Sequence, residues 1–417
     1  MIQIRYFGVI LAIVIFLFGC VTPPPFEDNH SIANNSFIPT VNTTDISVAH
    51  NNLGFNLFHK LTQPGKNLFI SPSSISFALG MVHSGAAGQT EIDMAKVLSI
   101  QTIDQPDLAN FNLIKALGED KSVELSIADS IWLDDGFSIK PDYQKNMEKY
   151  YLARISNVDF SNPQSATTVN GWVSDNTRGK ITKIIDPPLD GVEAILINAV
   201  YFKGKWTSPF NASLTTNRTF TFSDGQTKQI AMMQKKSSFD YLENDQFQAV
   251  RLPYGNQSLA MYVFLPKQPL IGSQKIEDFV QNMDSAKWND WLGSFSHESG
   301  TVILPKFKME YSTELDEQLK QLGMASAFSD NADFSNMAIE PVKISRVIHK
   351  TYIETNEEGS EAAAVTAVVM VATSAPGPYT PPKEFYMDVN RPFFFAIQDD
   401  KTGEILFMGV VNDPTAS

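Results

Sequence analysis

The residues Glu357 to Ala375, EEGSEAAAVTAVVMVATSA, restrict the fold of this 417-residue chain more than any other segment. From Ala362 to Ala375 there is no charge, proline or glycine. Val365, Thr366, Val368, Val369, Val371 and Thr373 are β-branched, which favours a strand. Glu357, Glu358 and Glu361 ahead of Ala362, Ala363 and Ala364 could also open a helix, since acids suit a helix N-terminus, but the β-branched run opposes its continuation. Strands average about 5 or 6 residues, and this run is more than twice that. Pro376, Pro378, Pro381 and Pro382, with Gly377, then force an exposed, turning path. A strand ready for burial therefore runs directly into an exposed loop.

With 43% hydrophobic and 11% aromatic residues the chain can bury a large core, and its length alone suggests two domains. The formal net charge of −14, with no basic run longer than Lys235 and Lys236, argues against nucleic acid, heparin-type polyanions and acidic membrane surfaces as partners.

At the N-terminus, Arg5 is followed by an apolar stretch from Tyr6 to Gly19 and then Cys20, the only cysteine. A bilayer span needs about 20 apolar residues, so residues 1–19 read as a signal peptide. Leu17, Phe18, Gly19 and Cys20 resemble a lipobox, in which cleavage exposes the cysteine for diacylglycerol attachment, as in prokaryotic lipoproteins. Residues 20–45, rich in Pro, Asn, Ser and Thr, then form a flexible tether. The expected location is extracytoplasmic, anchored to the cell surface, or secreted. With Cys20 in the anchor, the body from residue 46 to 417 has no internal disulfide.

Along the body, Val48, Leu53, Phe55, Leu57, Phe58 and Leu61 predict an amphipathic helix over Ile46 to Leu61. A short strand from Asn67 to Ile70 meets Ser71-Pro72, suited to an N-cap and a first helical residue, and the helix that follows runs to Ser84. Further helices are expected over Thr90 to Leu98, Pro141 to Tyr151 and Asn170 to Lys180. Strands are expected from Ala194 up to a turn at Lys203-Gly204-Lys205, then over Phe239 to Leu252, Ser258 to Leu265 and Gly300 to Met309. A closing pair, Phe393 to Gln398 and Ile405 to Val411, is joined by a hairpin loop at Asp399 to Gly403. No repeat or internal linker appears, which points to one α+β body.

Catalytic patterns are missing. No H-E-x-x-H, nucleophile elbow, Walker loop or dinucleotide fingerprint occurs, and the histidines form no pair spaced for zinc. Gly85 to Gly88 follows a helix and lacks Lys-Ser/Thr, so it reads as a helix end. No cofactor, metal or enzymatic activity is expected.

The segments NLFISPSSISFALGMVHSGAAGQT (67–90), WVSDNTRGKI (172–181), NAVYFKGKWTSPF (198–210), LPKFKMEY (304–311), VIHKTYIETNEEGSEAAAVT (347–366) and NRPFFFAIQDDKTGEILFMGVVNDP (390–414) stand in one order. In that order they resemble the serpins, over nearly everything from Ile46 to Pro414. The resemblance implies an α+β fold of three β-sheets and eight or nine helices, with an exposed reactive loop over about residues 357–390. It implies a suicide-substrate inhibitor: a serine protease attacks the loop, forms a covalent acyl-enzyme, and the freed loop inserts as a strand of the main sheet. The alternative within the family is a non-inhibitory chaperone, carrier or cleavable substrate. The partner is then the target protease, and the chain is a monomer able to polymerise by loop exchange.

The resemblance also assigns residues. The hinge is Glu357, Glu358, Gly359, Ser360, Glu361, Ala362, Ala363, Ala364, Val365 and Thr366, with Ser360, Ala362, Ala364, Thr366, Val368 and Met370 facing the core on insertion. The reactive bond counts to Thr373-Ser374. Small uncharged residues around it suit elastase-like or subtilisin-like proteases rather than a trypsin-like pocket. Ser71, Ser74, Asn198 and His349 form a polar cluster where the sheet parts; alone, the serines read as helix-start residues and His349 as a satisfied core histidine. Trp206, Lys306 and Glu357 mark the place where the loop goes in.

Overall fold

The computed structural model describes residues 43–267, 276–360 and 384–416. Helix α1 (Thr44–Leu61) packs Leu53, Leu57, Phe58 and Leu61 inward, whereas Val48, expected on that face, is exposed. Strand β1 (Leu68–Ile70) leads into α2 (Pro72–Gly85). There Ser71 is the N-cap, its side chain accepting from the Ser74 N–H, and Pro72 takes the first helical position, where a missing N–H costs nothing. Gly85 closes the helix, and α3 (Gly88–Leu98) begins at a glycine with φ of +56°.

Two elements not expected from the sequence follow, α4 (Pro106–Leu117) and β2 (Val123–Asp134). Helix α5 (Pro141–Tyr151) forms over the expected residues, β3 (Arg154–Val158) comes next, and α6 (Gln164–Asn176) starts and ends earlier than expected. It stops where the Thr177 hydroxyl donates back to the Val173 carbonyl and Arg178 and Gly179 turn to positive φ. Strand β4 (Ala194–Lys205) runs straight through the expected turn at Lys203-Gly204-Lys205, because these residues pair with Val123 and Glu124 of β2 and with Gly359 and Ser360.

Strands β5 (Thr216–Thr221), β6 (Thr227–Glu243), β7 (Phe247–Pro253) and β8 (Leu259–Pro266) come next. The single strand expected over Phe239 to Leu252 is thus a hairpin, turned by Asn244, whose side chain accepts from the Gln246 and Phe247 N–H groups. After α7 (Ile276–Gln281) and α8 (Ser285–Leu292), the expected strand Gly300 to Met309 is also divided. Its parts are β9 (Ser296–Pro305) and β10 (Phe307–Glu314), which lie in different sheets and part at Lys306. Helix α9 (Asp316–Leu319), β11 (Arg346–Asn356), β12 (Gly359–Ser360), β13 (Phe385–Asp388), β14 (Phe393–Asp399) and β15 (Glu404–Val411) complete the described α-helices and strands.

The six-stranded sheet has the order β10-β11-β12-β4-β2-β3, with β11 and β4 parallel over Arg346–Tyr352. The other strands form one hydrogen-bonded network through β6, which pairs with β5 and β9 along most of its length and with β7 at Asp240–Glu243. The described strands therefore form two sheets where three were expected, because β6 joins β5 and β9 to β7 in one nine-stranded network. The expected α+β class holds, with nine α-helical segments among the described residues.

Alternation along β4 places the six-stranded sheet between two apolar layers. Leu196, Val200 and Phe202 face the main core with α2, while Ile195, Ile197 and Tyr201 face a second cluster under α6 with Trp132, Val169 and Val173. Asn198 belongs to the inward series, and this sets up the site.

Candidate functional site

The long apolar segment begins inside the sheet. Gly359 and Ser360 lie between β11 and β4, antiparallel to both: Ser360 faces Thr355 on one side and Gly204 on the other. Gly359 has φ of +148°, and a Cβ there would stand 2.0 Å from the Gly204 carbonyl oxygen. Only glycine fits, both for its φ and for that approach. Ser360 is fully buried, its hydroxyl 2.8 Å from that of Tyr254. Burial drives the Tyr254 phenol far above its ordinary pKa, against the Ser360 hydrogen bond that lowers it. The phenol is neutral at every working pH.

The turn before it is clamped from β4 onward. The Trp206 backbone N–H donates to the Glu358 carbonyl, the Phe210 N–H to the Glu357 carbonyl, and the Trp206 indole N–H to the Asn356 carbonyl. Trp206 stacks on Tyr254 with centroids 4.4 Å apart. Glu357 accepts from Lys306 at 2.9 Å and from the Thr215 hydroxyl at 2.8 Å. Burial pushes its carboxyl up, but these hydrogen bonds and the Lys306 charge outweigh it and hold the group below the ordinary Glu range. Trp206, Lys306 and Glu357 thus meet at the mouth of the sheet.

Deeper in the same sheet a row of polar side chains crosses three strands. Asp129 of β2 pairs with Asn198 of β4, and Asn198 with His349 of β11, all at one level and all facing the N-terminus of α2. The Ser71 N–H donates to His349 Nε2 at 3.1 Å, so Nε2 is unprotonated and Nδ1–H donates to Asn198 Oδ1. The Asn198 amide donates to Asp129 Oδ1 and to the Ser74 hydroxyl, which itself donates to Asp129 at 3.5 Å. Burial lowers the His349 pKa to about 3. Burial raises Asp129 to about 7, against the Asn198 and Ser74 hydrogen bonds. The row ties β11 to β4 and β4 to β2 below Gly359 and Ser360.

Ser71, Ser74, Asn198 and His349 are therefore brought together, and Asp129, missed in the sequence, completes them. Tyr254, Thr215 and Asn356 were missed as well; nothing local marks them, since their partners lie far along the chain. Cys20, Glu361, Ala362, Ala363, Ala364, Val365, Thr366, Thr373 and Ser374 lie outside the described residues. Among the described residues no group of three or more His, Cys, Asp or Glu is placed to hold a metal.

The serpin (serine protease inhibitor) family model matches residues 48–414. An uncharacterized serpin-like protein of Thermococcus kodakarensis is 34% identical over 97% of this chain and 98% of its own length. Leukocyte elastase inhibitor of Bos taurus is 33% identical over 88% of this chain and 99% of its own. The native state of tengpin, a thermophilic serpin, superposes with a TM-score of 0.82 at 28% identity, covering 91% of this chain and 97% of that one. The chain whose sheet seats Gly359 and Ser360 above a buried polar row is matched nearly end to end by one family: it belongs to the serpins.

Proposed function

We propose that this serpin inhibits serine proteases by loop cleavage, acyl-enzyme trapping and insertion of the loop between β11 and β4. The observation that carries the reading is the seating of Gly359 and Ser360, already hydrogen-bonded to both strands in the direction an inserting strand takes. The protease serine attacks the Thr373 carbonyl, the Ser374 amine leaves, and Thr373 stays esterified to the enzyme.

Continuing the register from Ser360 sets Ala362 against Ile353 and Phe202, Ala364 against Thr351 and Val200, and Thr366 against His349 and Asn198. Inward positions receive small side chains until the polar row, where Thr366 offers a hydroxyl to replace the hydrogen bond that parting the strands breaks. Sequence chemistry and register agree at that level.

The small residues around Thr373-Ser374 favour an elastase-like or subtilisin-like target. Incubation with elastase-, subtilisin-, trypsin- and chymotrypsin-type enzymes tests this: a denaturant-resistant complex is expected with the first two. A complex with the trypsin type alone would refute the specificity. We further propose that Cys20 carries a lipid anchor, so that Cys20→Ser moves the protein from the membrane fraction to the soluble one.

A further inference from the structure

Beside the mouth of the sheet lies a cavity of about 220 Å3 that no step of the inhibitory cycle uses. Its walls include Trp206, Phe210 and Phe239, and Lys235 of β6 reaches into it. The Lys235 ammonium lies 5.9 Å from the Phe210 ring centroid and 5.8 Å from that of Phe239, and donates to the Ser208 carbonyl. No carboxylate pairs with it among the described residues.

The other charges facing the cavity are already matched. Asp240, on β6 itself, lies 3.4 Å from Arg251 of β7 and 3.2 Å from His297 of β9, and Arg251 also holds Asp400 at 2.6 Å. The segment from Thr207 to Phe210 brings no charge. Glu357, whose carbonyl rests on Phe210, has its carboxylate on Lys306, and neighbouring Lys236 is paired with Glu384.

We propose that this cavity binds a small planar aromatic anion, its carboxylate on Lys235 and its ring among Trp206, Phe210 and Phe239. An unmatched cation held over aromatic faces in a half-buried pocket has the chemistry for that ligand class. Burial also lowers Lys235 to about 8, so an anion that favours the ammonium form draws a proton onto it. The site shares Trp206 and Phe210 with the clamp on Glu357 and Glu358, but its cation, Lys235, takes no part in that clamp.

The test is calorimetric titration of the whole chain with 2-naphthoate at pH 8 in two buffers of different ionisation enthalpy. Binding with heats that differ between buffers, showing fractional proton uptake, is expected for the parent. Lys235→Met should weaken binding at least tenfold, and Lys235→Arg should retain it without proton uptake. If Lys235→Met fails to fold, the parent and Lys235→Arg decide alone. No binding, equal affinity in Lys235→Met, or buffer-independent heats in the parent would overturn the assignment.

Discussion

At Gly359 a methyl group has nowhere to go. A Cβ would sit 2.0 Å from the Gly204 oxygen and 2.7 Å from the Lys205 Cα, both backbone atoms that cannot swing aside, and φ is +148°. Gly359→Ala should expel β12 at a cost of about 1–3 kcal/mol. Hydrogen exchange would then quicken at the β4 and β11 amides facing the hinge, and unchanged protection there would show that the methyl is accommodated. Asp129 and His349 make opposite contributions to pH dependence. Asp129, raised from 3.8 to about 7, contributes stability that is complete below pH 3.8 and is lost as pH rises through 7, amounting to up to about 4 kcal/mol. His349, lowered from 6.5 to about 3, contributes stability present above pH 6.5 and lost as pH falls towards 3. Between about pH 4 and 6.5 the two slopes oppose each other. Asp129→Asn keeps an acceptor for Asn198 and Ser74 but removes one slope. Urea denaturation should find it more stable than the parent by up to a few kcal/mol at pH 8 and equal to it near pH 4, and a gap independent of pH would exclude this role for the carboxyl.

Among the elements, the strand proposed to insert would tolerate only what its neighbours leave room for. Thr366→Arg would bring a long cation to the level of His349 and Asn198, where burial without a partner is costly. The expected outcome is cleavage without trapping: on denaturing gels the ratio of covalent complex to cleaved product falls at least tenfold. An unchanged ratio would mean that the loop follows another register. Elements set by short-range chemistry were legible in the sequence, as Ser71-Pro72 at the start of α2, Pro141 at the start of α5 and the Asp399–Gly403 hairpin show. Strand β2 was not, because Ser126, Asp129 and Ser130 interrupt its apolar pattern and its burial comes from pairing with β4 and β3. The β6–β7 turn escaped notice because Asn244 makes it without a glycine. Four members of the polar row were named through family resemblance. Asp129 was not, since it meets Ser74 and Asn198 across 55 and 69 residues of chain.

For the molecule as a whole, the proposed insertion between β11 and β4 would make the native form a stopping place short of the best-paired one. The proposed full insertion would add about a dozen ladder hydrogen bonds, each worth roughly 1 kcal/mol net, together with burial of the valine-rich run. Cleavage within the loop should raise the unfolding temperature by roughly 10 °C or more in scanning calorimetry, and a cleaved form melting with the intact one would exclude insertion. The seated pair Gly359–Ser360 also bears on the timing of that event. Adding a strand is slow to begin and quick to extend, because the first rung must close a loop for few bonds in return. Here that rung exists before any protease arrives. Capture should therefore show no lag, its pace set by how fast β11 and β4 unzip rung by rung from Tyr352 and Tyr201 down to the polar row. Under the proposed mechanism, insertion would enter its race with deacylation with the first step already behind it.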